Sequence, residues 1–157
     1  MSETKYIQII QEISHNFFDK LGIDYNKIEI EKEDNSIYRI NLEVDNPPFI
    51  IGFHGERLKA IQILLKTIAW KNGIPSDQYI ILDVDGYQKA REKKVLDLAT
   101  EKYETVVQTQ ISQTMPPLDP YLRRKVHLLI IEKNNSKIKT ESFGDGSSRR
   151  IKIFYEK

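Results

Sequence analysis

Two short stretches of this chain place residue types at spacings that suit contact with a sugar–phosphate backbone. The first is Gly52-Phe53-His54-Gly55, a pair of glycines three apart, set between the apolar run "FII" and a charged, helical pattern. Glycines there let the backbone approach a ligand closely. The unsatisfied, partly positive N–H groups at the start of the following helix suit phosphate. Arg57 and Lys59 stand close enough in sequence to assist. By spacing alone, the same four residues describe a plain turn rather than a clamp. The second stretch is "PPLDPYLRRKVHLLI", in which Arg123 and His127 lie four apart and so neighbour each other on one helical face. Arg124 and Lys125 add charge beside them. That pair can present a guanidinium and an imidazole to one phosphate, or His127 can be a satisfied helix residue among solvated arginines. Arg149 and Arg150 join the set on charge and proximity in sequence.

Other chemistry finds less support. Asp83 and Asp85 in "LDVDG" form a carboxylate pair of the type that binds Mg²⁺. With no third acidic partner evident, they read instead as the end of a strand and the cap of the next helix. The chain has no cysteine and three scattered histidines, which supplies neither a thiolate nucleophile nor a zinc site. It contains no G-x-x-x-x-G-K-[ST] loop and no H-E-x-x-H. The expectation is a binding protein with no enzymatic activity and no cofactor. Trp70 and Tyr79 are capable of stacking on bases, but the runs around them read as core-facing. His54 reads as an exposed loop histidine.

Charge divides the chain unevenly. The net charge is +1, yet residues 1–85 carry 9 Lys+Arg against 14 Asp+Glu, a balance of −5, and residues 86–157 carry 15 against 9, a balance of +6. A basic C-terminal half points to a polyanionic partner. The length of 157 residues, 39% hydrophobic, allows one ordinary domain or two small ones. No run approaches the roughly 18 apolar residues of a membrane span, and "MSETKYIQII" lacks the pattern of a secretory leader. The sequence therefore reads as soluble, unprocessed and cytoplasmic.

The elements that must position these residues follow from periodicity. Tyr6, Ile10, Ile13, Phe17 and Leu21 line one face of a helix stopped by Gly22. "KIEIEK" and "YRINLEV" alternate around a turn, "EDNS", as a hairpin, and "DNPP" ends its second strand. Leu58, Ile61, Leu65 and Ile68 form a helical stripe after Gly55, and "QYIILDVDG" is a short strand. From Gly86 a helix of about 25 residues is expected, with Val95, Leu98, Ala99, Tyr103, Val106 and Val107 at helical intervals. Asp119 is positioned as an N-cap with Pro120 at the first helical position, starting a helix that ends at Asn134-Asn135. A hairpin, "KIKTESF", "GDGSS" and "RRIKIFYEK", closes the chain.

In this context the glycine pair resembles the G-x-x-G loop of a KH domain of the second topological type, which clamps single-stranded nucleic acid. The resemblance makes Gly52, Phe53, His54 and Gly55 the clamp. Such loops commonly carry Lys or Arg between the glycines, where this chain has Phe53 and His54. The Arg-xxx-His helix, with "PPLDPY" before it and the hairpin after it, resembles the R-x3-H domain, a single-stranded nucleic-acid module. Together the halves resemble the bacterial Jag family, also called KhpB or SpoIIIJ-associated. The resemblance implies an α+β chain of two small domains joined by a long helix, a KH-like domain at 1–85 and an R-x3-H domain at 86–157. It also implies a cytoplasmic binder of single-stranded RNA, with single-stranded DNA as the alternative ligand, partnered in some bacteria by a small KH protein. The competing reading is a protein-interaction scaffold with vestigial nucleic-acid affinity.

Overall fold

The computed structural model describes residues 3–34 and 36–156, an α+β chain in two compact units. The first extends to Lys89 and the second begins at Ala90.

The first unit runs α1 (Glu3–Lys20), β1 (Lys27–Asp34), β2 (Ile37–Glu43), α2 (Pro47–Ile51), α3 (Glu56–Lys71) and β3 (Tyr79–Val84). Its sheet has the order β1-β2-β3. The hairpin strands are antiparallel, with Ile30 opposite Ile40. β3 returns beside β2 in parallel, with Ile40 opposite Leu82, after the crossover through α2 and α3. Alternation along the strands then puts Tyr38, Ile40, Leu42, Ile80, Leu82 and Val84 on one face, where they form a core with Ile10 and Phe18 of α1 and Leu58, Ile61, Leu65 and Ala69 of α3. Each of the larger apolar side chains contributes about 1.5–3 kcal/mol on burial. The opposite face holds a buried ion pair: the Arg39 guanidinium, 0% exposed, lies 2.5 Å from Glu33 and 3.4 Å from Asp83.

Two local expectations change. Leu21 falls past the end of α1 and is exposed, while Ile10, Ser14 and Phe18, each about a full turn apart, are the buried residues of that helix. The apolar run before the glycines is α2, a short helix with prolines in its first turn, where a missing N–H costs nothing.

The second unit takes most of α4 (Tyr87–Thr109), then β4 (Gln113–Thr114), α5 (Pro120–Glu132), β5 (Ile138–Phe143) and β6 (Arg150–Tyr155). Its antiparallel sheet has the order β4-β6-β5. α5 packs on β5, and Leu122, Val126, Ile130, Ile138, Ile151 and Ile153 are buried. Asp119 caps α5 as its sequence position implies: it has extended backbone, its side chain accepts from the Leu122 amide at 2.9 Å, and Pro120 follows. The two-residue β4 has no signature in the sequence. Among the described residues no helix is long and apolar enough to cross a membrane.

Candidate nucleic-acid interface

The glycine pair sits in a tight turn whose first position only glycine fits. Gly52 has φ 71° and ψ −174°, a region essentially confined to glycine. A Cβ there would lie 2.6 Å from the Cβ of Arg57. Gly55 is left-handed, and a Cβ on it would lie 3.1 Å from the Tyr87 hydroxyl. Between them His54 is also left-handed, at φ 49°. Backbone hydrogen bonds hold the turn, since the Gly52 amide donates to the Pro48 carbonyl at 2.9 Å and the Gly55 amide to the Gly52 carbonyl at 3.3 Å.

The turn displays aromatic rings. Phe53 is 77% exposed and its ring packs edge-on against His54, with centroids 4.1 Å apart. Phe49 is also exposed, and the Arg57 guanidinium lies 4.9 Å from its ring centroid while donating to the Phe49 carbonyl. A cation is thus fixed just beyond the glycines. Lys59, two residues on, is exposed on α3. Sequence reasoning does not single out Phe49; its signal is the spacing of eight residues to Arg57 across two helices, which is legible only once α2 is recognised.

Trp70 corrects the core-facing reading. It is 37% exposed, with the Lys66 ammonium 4.5 Å from its ring centroid. The buried stripe of α3 passes through Ala69, and one residue further is about 100° around the helix. Tyr79 is half-buried. Asp83, the penultimate residue of β3, caps α4, its two carboxylate oxygens accepting from the Gln88 and Lys89 amides at 2.8 and 3.1 Å. Among the described residues no three His, Cys, Asp or Glu gather as a metal site.

In the second unit Arg123 and His127 occupy successive turns of α5, both half-buried. His127 turns its ring toward β5: Nδ1 is 2.5 Å from the Thr140 hydroxyl and Nε2 is 3.4 Å from the Ser142 hydroxyl. Burial, reinforced by the Arg123 charge, holds its pKa below the ordinary imidazole value. At neutral pH His127 is therefore an uncharged group that ties α5 to the sheet. Arg123 donates to the Leu118 carbonyl at 2.5 Å, and the Leu118 amide donates to the Arg149 carbonyl at 3.1 Å. Leu118 thus joins Arg123 to Arg149 through its backbone. Arg150 follows with its Nε donating to the Ser148 carbonyl. Arg124 and Lys125 are half-buried on α5, Lys125 lying 5.4 Å from the Tyr121 ring centroid. Arg123 and Arg149 therefore gather at the start of α5, and His127 lies between helix and strand.

Residues 93–155 match the model of the R-x3-H domain. The chain is 28% identical over 155 residues to the RNA-binding protein KhpB of Clostridium symbiosum, covering 96% of this chain and 65% of that protein. It is 25% identical over 128 residues to the RNA-binding protein KhpB of Bacillus subtilis (strain 168), covering 80% of this chain and 60% of that one. The protein of the same name from Streptococcus pneumoniae serotype 2 is 27% identical over 116 residues, covering 73% of this chain and 34% of its own length. The chain thus spans about two thirds or less of the relatives it matches. The second unit therefore carries a match to the R-x3-H domain, and most of the chain is similar in sequence to proteins named KhpB.

Proposed function

We propose that this chain binds single-stranded RNA without chemical turnover. In this reading residues 1–85 work as a type II KH-like module whose Gly52–Gly55 turn clamps the backbone, and residues 86–157 supply the basic R-x3-H surface. The observation that carries it is the Gly52 turn, where a positive φ and a 2.6 Å clearance to Arg57 exclude any side chain and leave a half-exposed stretch of bare backbone. The exposed Phe53 and Phe49 rings beside it offer stacking faces, and Arg57 and Lys59 offer charge. The helix–strand–strand–helix–helix–strand order, with the last strand parallel to the central one, supports the KH reading. The names of the relatives and the R-x3-H match support RNA as the ligand. Phosphate contacts by Arg123, Arg149 and Arg150 supply most of the affinity, with Arg124 and Lys125 adding to the local charge. The cytoplasm is the compartment where such a ligand is met.

Fluorescence anisotropy of a short labelled single-stranded RNA over a series of salt concentrations tests the reading. Saturable binding whose log K falls linearly with log salt is expected. Absence of saturable binding at low salt overturns it.

A second reading, a protein-interaction scaffold whose partner is a small KH protein, rests on a different observation. A groove of about 400 Å³ runs between α1 and α3, where Ile9, Ile13, Phe17, Leu21 and Ile68 are interspersed with Glu12, Asn16, Lys20 and Asn72, and Ile63 and Leu64 of α3 are exposed. A wild type that forms a stable complex with such a partner and shows no RNA affinity would favour it.

A further inference from the structure

The sheet of the second unit has an outer side. Ile151 and Ile153 of β6 point inward, and Thr140 and Ser142 of β5 meet His127 there. Alternation therefore sends Lys139, Glu141 and Phe143 of β5 and Arg150, Lys152 and Phe154 of β6 to the opposite face. The register arranges these six as a pattern. Phe143 is directly opposite Arg150, Lys139 is opposite Phe154, and Glu141 is opposite Lys152. Cross-strand partners on one face lie within side-chain reach, so each aromatic residue has a basic residue opposite it in the register, in opposite senses at the two ends of the ladder. The Lys152 ammonium is 5.7 Å from the Phe154 ring centroid. Phe143 is 41% exposed, and Lys139 is exposed, with its ammonium 3.9 Å from Glu156. Three cations against Glu141 and Glu156 leave the face with one net positive charge.

We propose that this outer face is a second single-stranded RNA contact, distinct from the Arg123–His127 side of the same domain. One base stacks on Phe143 and one on Phe154, with the intervening backbone over Lys152. The inference rests on the RNA-binding reading above and adds the stacking rings to it. Charge complementarity selects a polyanion. Two rings on neighbouring strands, four register positions or about 13 Å apart along the ladder, select one that also carries flat, unpaired bases, which a duplex does not present. An acidic peptide would satisfy the lysines and leave both rings without a stacking partner.

The test uses the full chain and a short single-stranded RNA containing 2-aminopurine, with wild type, Phe143→Leu, Phe143→Leu/Phe154→Leu and Lys152→Gln. Leucine keeps the apolar character and removes the stacking ring, and a thermal melt confirms that each variant folds. The expected result is quenching of 2-aminopurine by wild type. Affinity falls about tenfold for the double Leu variant, and the salt slope becomes shallower by about one for Lys152→Gln. If wild type binds and all three variants match it in affinity, quenching and slope, the outer face is not a contact and the RNA-binding reading stands without it. If wild type does not bind, both fall. If the acidic peptide poly-glutamate competes as well as RNA does, the face is a general anion surface and the stacking proposal is overturned.

Discussion

His127 of α5 and Thr140 of β5 are joined across 13 residues of chain by a contact of 2.5 Å from Nδ1 to the hydroxyl. The imidazole that gives the Arg-xxx-His pair its second member is thereby committed to the fold, and Arg123, bonded to the Leu118 carbonyl, carries the charge. The first turns of α5 therefore present a guanidinium beside an uncharged ring.

That burial sets a pH dependence. The folded chain holds the His127 pKa below its ordinary value of about 6.5, so between the two values the unfolded chain binds more protons. The stability that His127 contributes is complete above about pH 6.5 and is lost as the pH falls through the window below it. Urea denaturation of wild type at pH values of about 7.5 and 5.5 is expected to show a loss on acidification that is smaller in His127→Gln. An NMR titration of the ring is expected to give a midpoint below that of an exposed histidine. A midpoint at or above about 6.5 would contradict the account.

The two glycines of the turn differ in what a methyl group would meet. Gly52→Ala combines a conformation reserved for glycine with a 2.6 Å approach to the Arg57 Cβ and is expected to cost about 1–3 kcal/mol. Gly55→Ala meets the Tyr87 hydroxyl at 3.1 Å, an atom at the end of a side chain that can yield. Its loss is expected to be the smaller of the two and to be reduced further by Tyr87→Phe. Denaturation midpoints of the single and double variants check the order.

Asp83 is expected to be the costliest carboxylate to remove from the first unit. It pairs with the fully buried Arg39 and accepts from two amides of α4. Asp83→Ala leaves a buried guanidinium short of one carboxylate, a change of about 3 kcal/mol, and Asp83→Asn, which keeps one acceptor oxygen, should lose less. Equal stability of wild type and Asp83→Ala in urea would show that Arg39 does not depend on this partner.

Asp119→Ala removes the side-chain acceptor of the Leu122 amide and should cost about 1 kcal/mol. Its second partner, Arg91 at 3.5 Å, is exposed and adds little. Asp119→Asn, an equally good cap, should restore most of the loss, as read from thermal melts.

What can be read from the sequence is whatever is decided locally. The Asp119–Pro120 helix start depends on backbone chemistry within four residues, and the two hairpins depend on alternation and turn composition; all appear where expected. α2 escapes because "PPFII" is too short to show a helical period, and β4 because its two residues become a strand only by pairing with β6, about 40 positions away. Trp70 is displaced by one step around α3: Ala69 takes the buried position and the larger ring goes outward. The four residues of the glycine turn are visible as a motif, but the tight approach of Gly52 to Arg57 and the placement of Arg57 on Phe49 require the helix–turn–helix geometry. His127 is ambiguous for the same reason, since its partners Thr140 and Ser142 are fixed by how the hairpin packs on α5.

The most direct measurement is the RNA affinity of wild type against Phe53→Asp/His54→Asp, which keeps both glycines and puts two negative charges in the turn, and against Arg123→Ala. All three are titrated with the same short single-stranded RNA at low and physiological salt. The account predicts saturable, salt-sensitive binding by wild type and a loss of about tenfold or more in each variant. Wild-type affinity retained by both folded variants would contradict it.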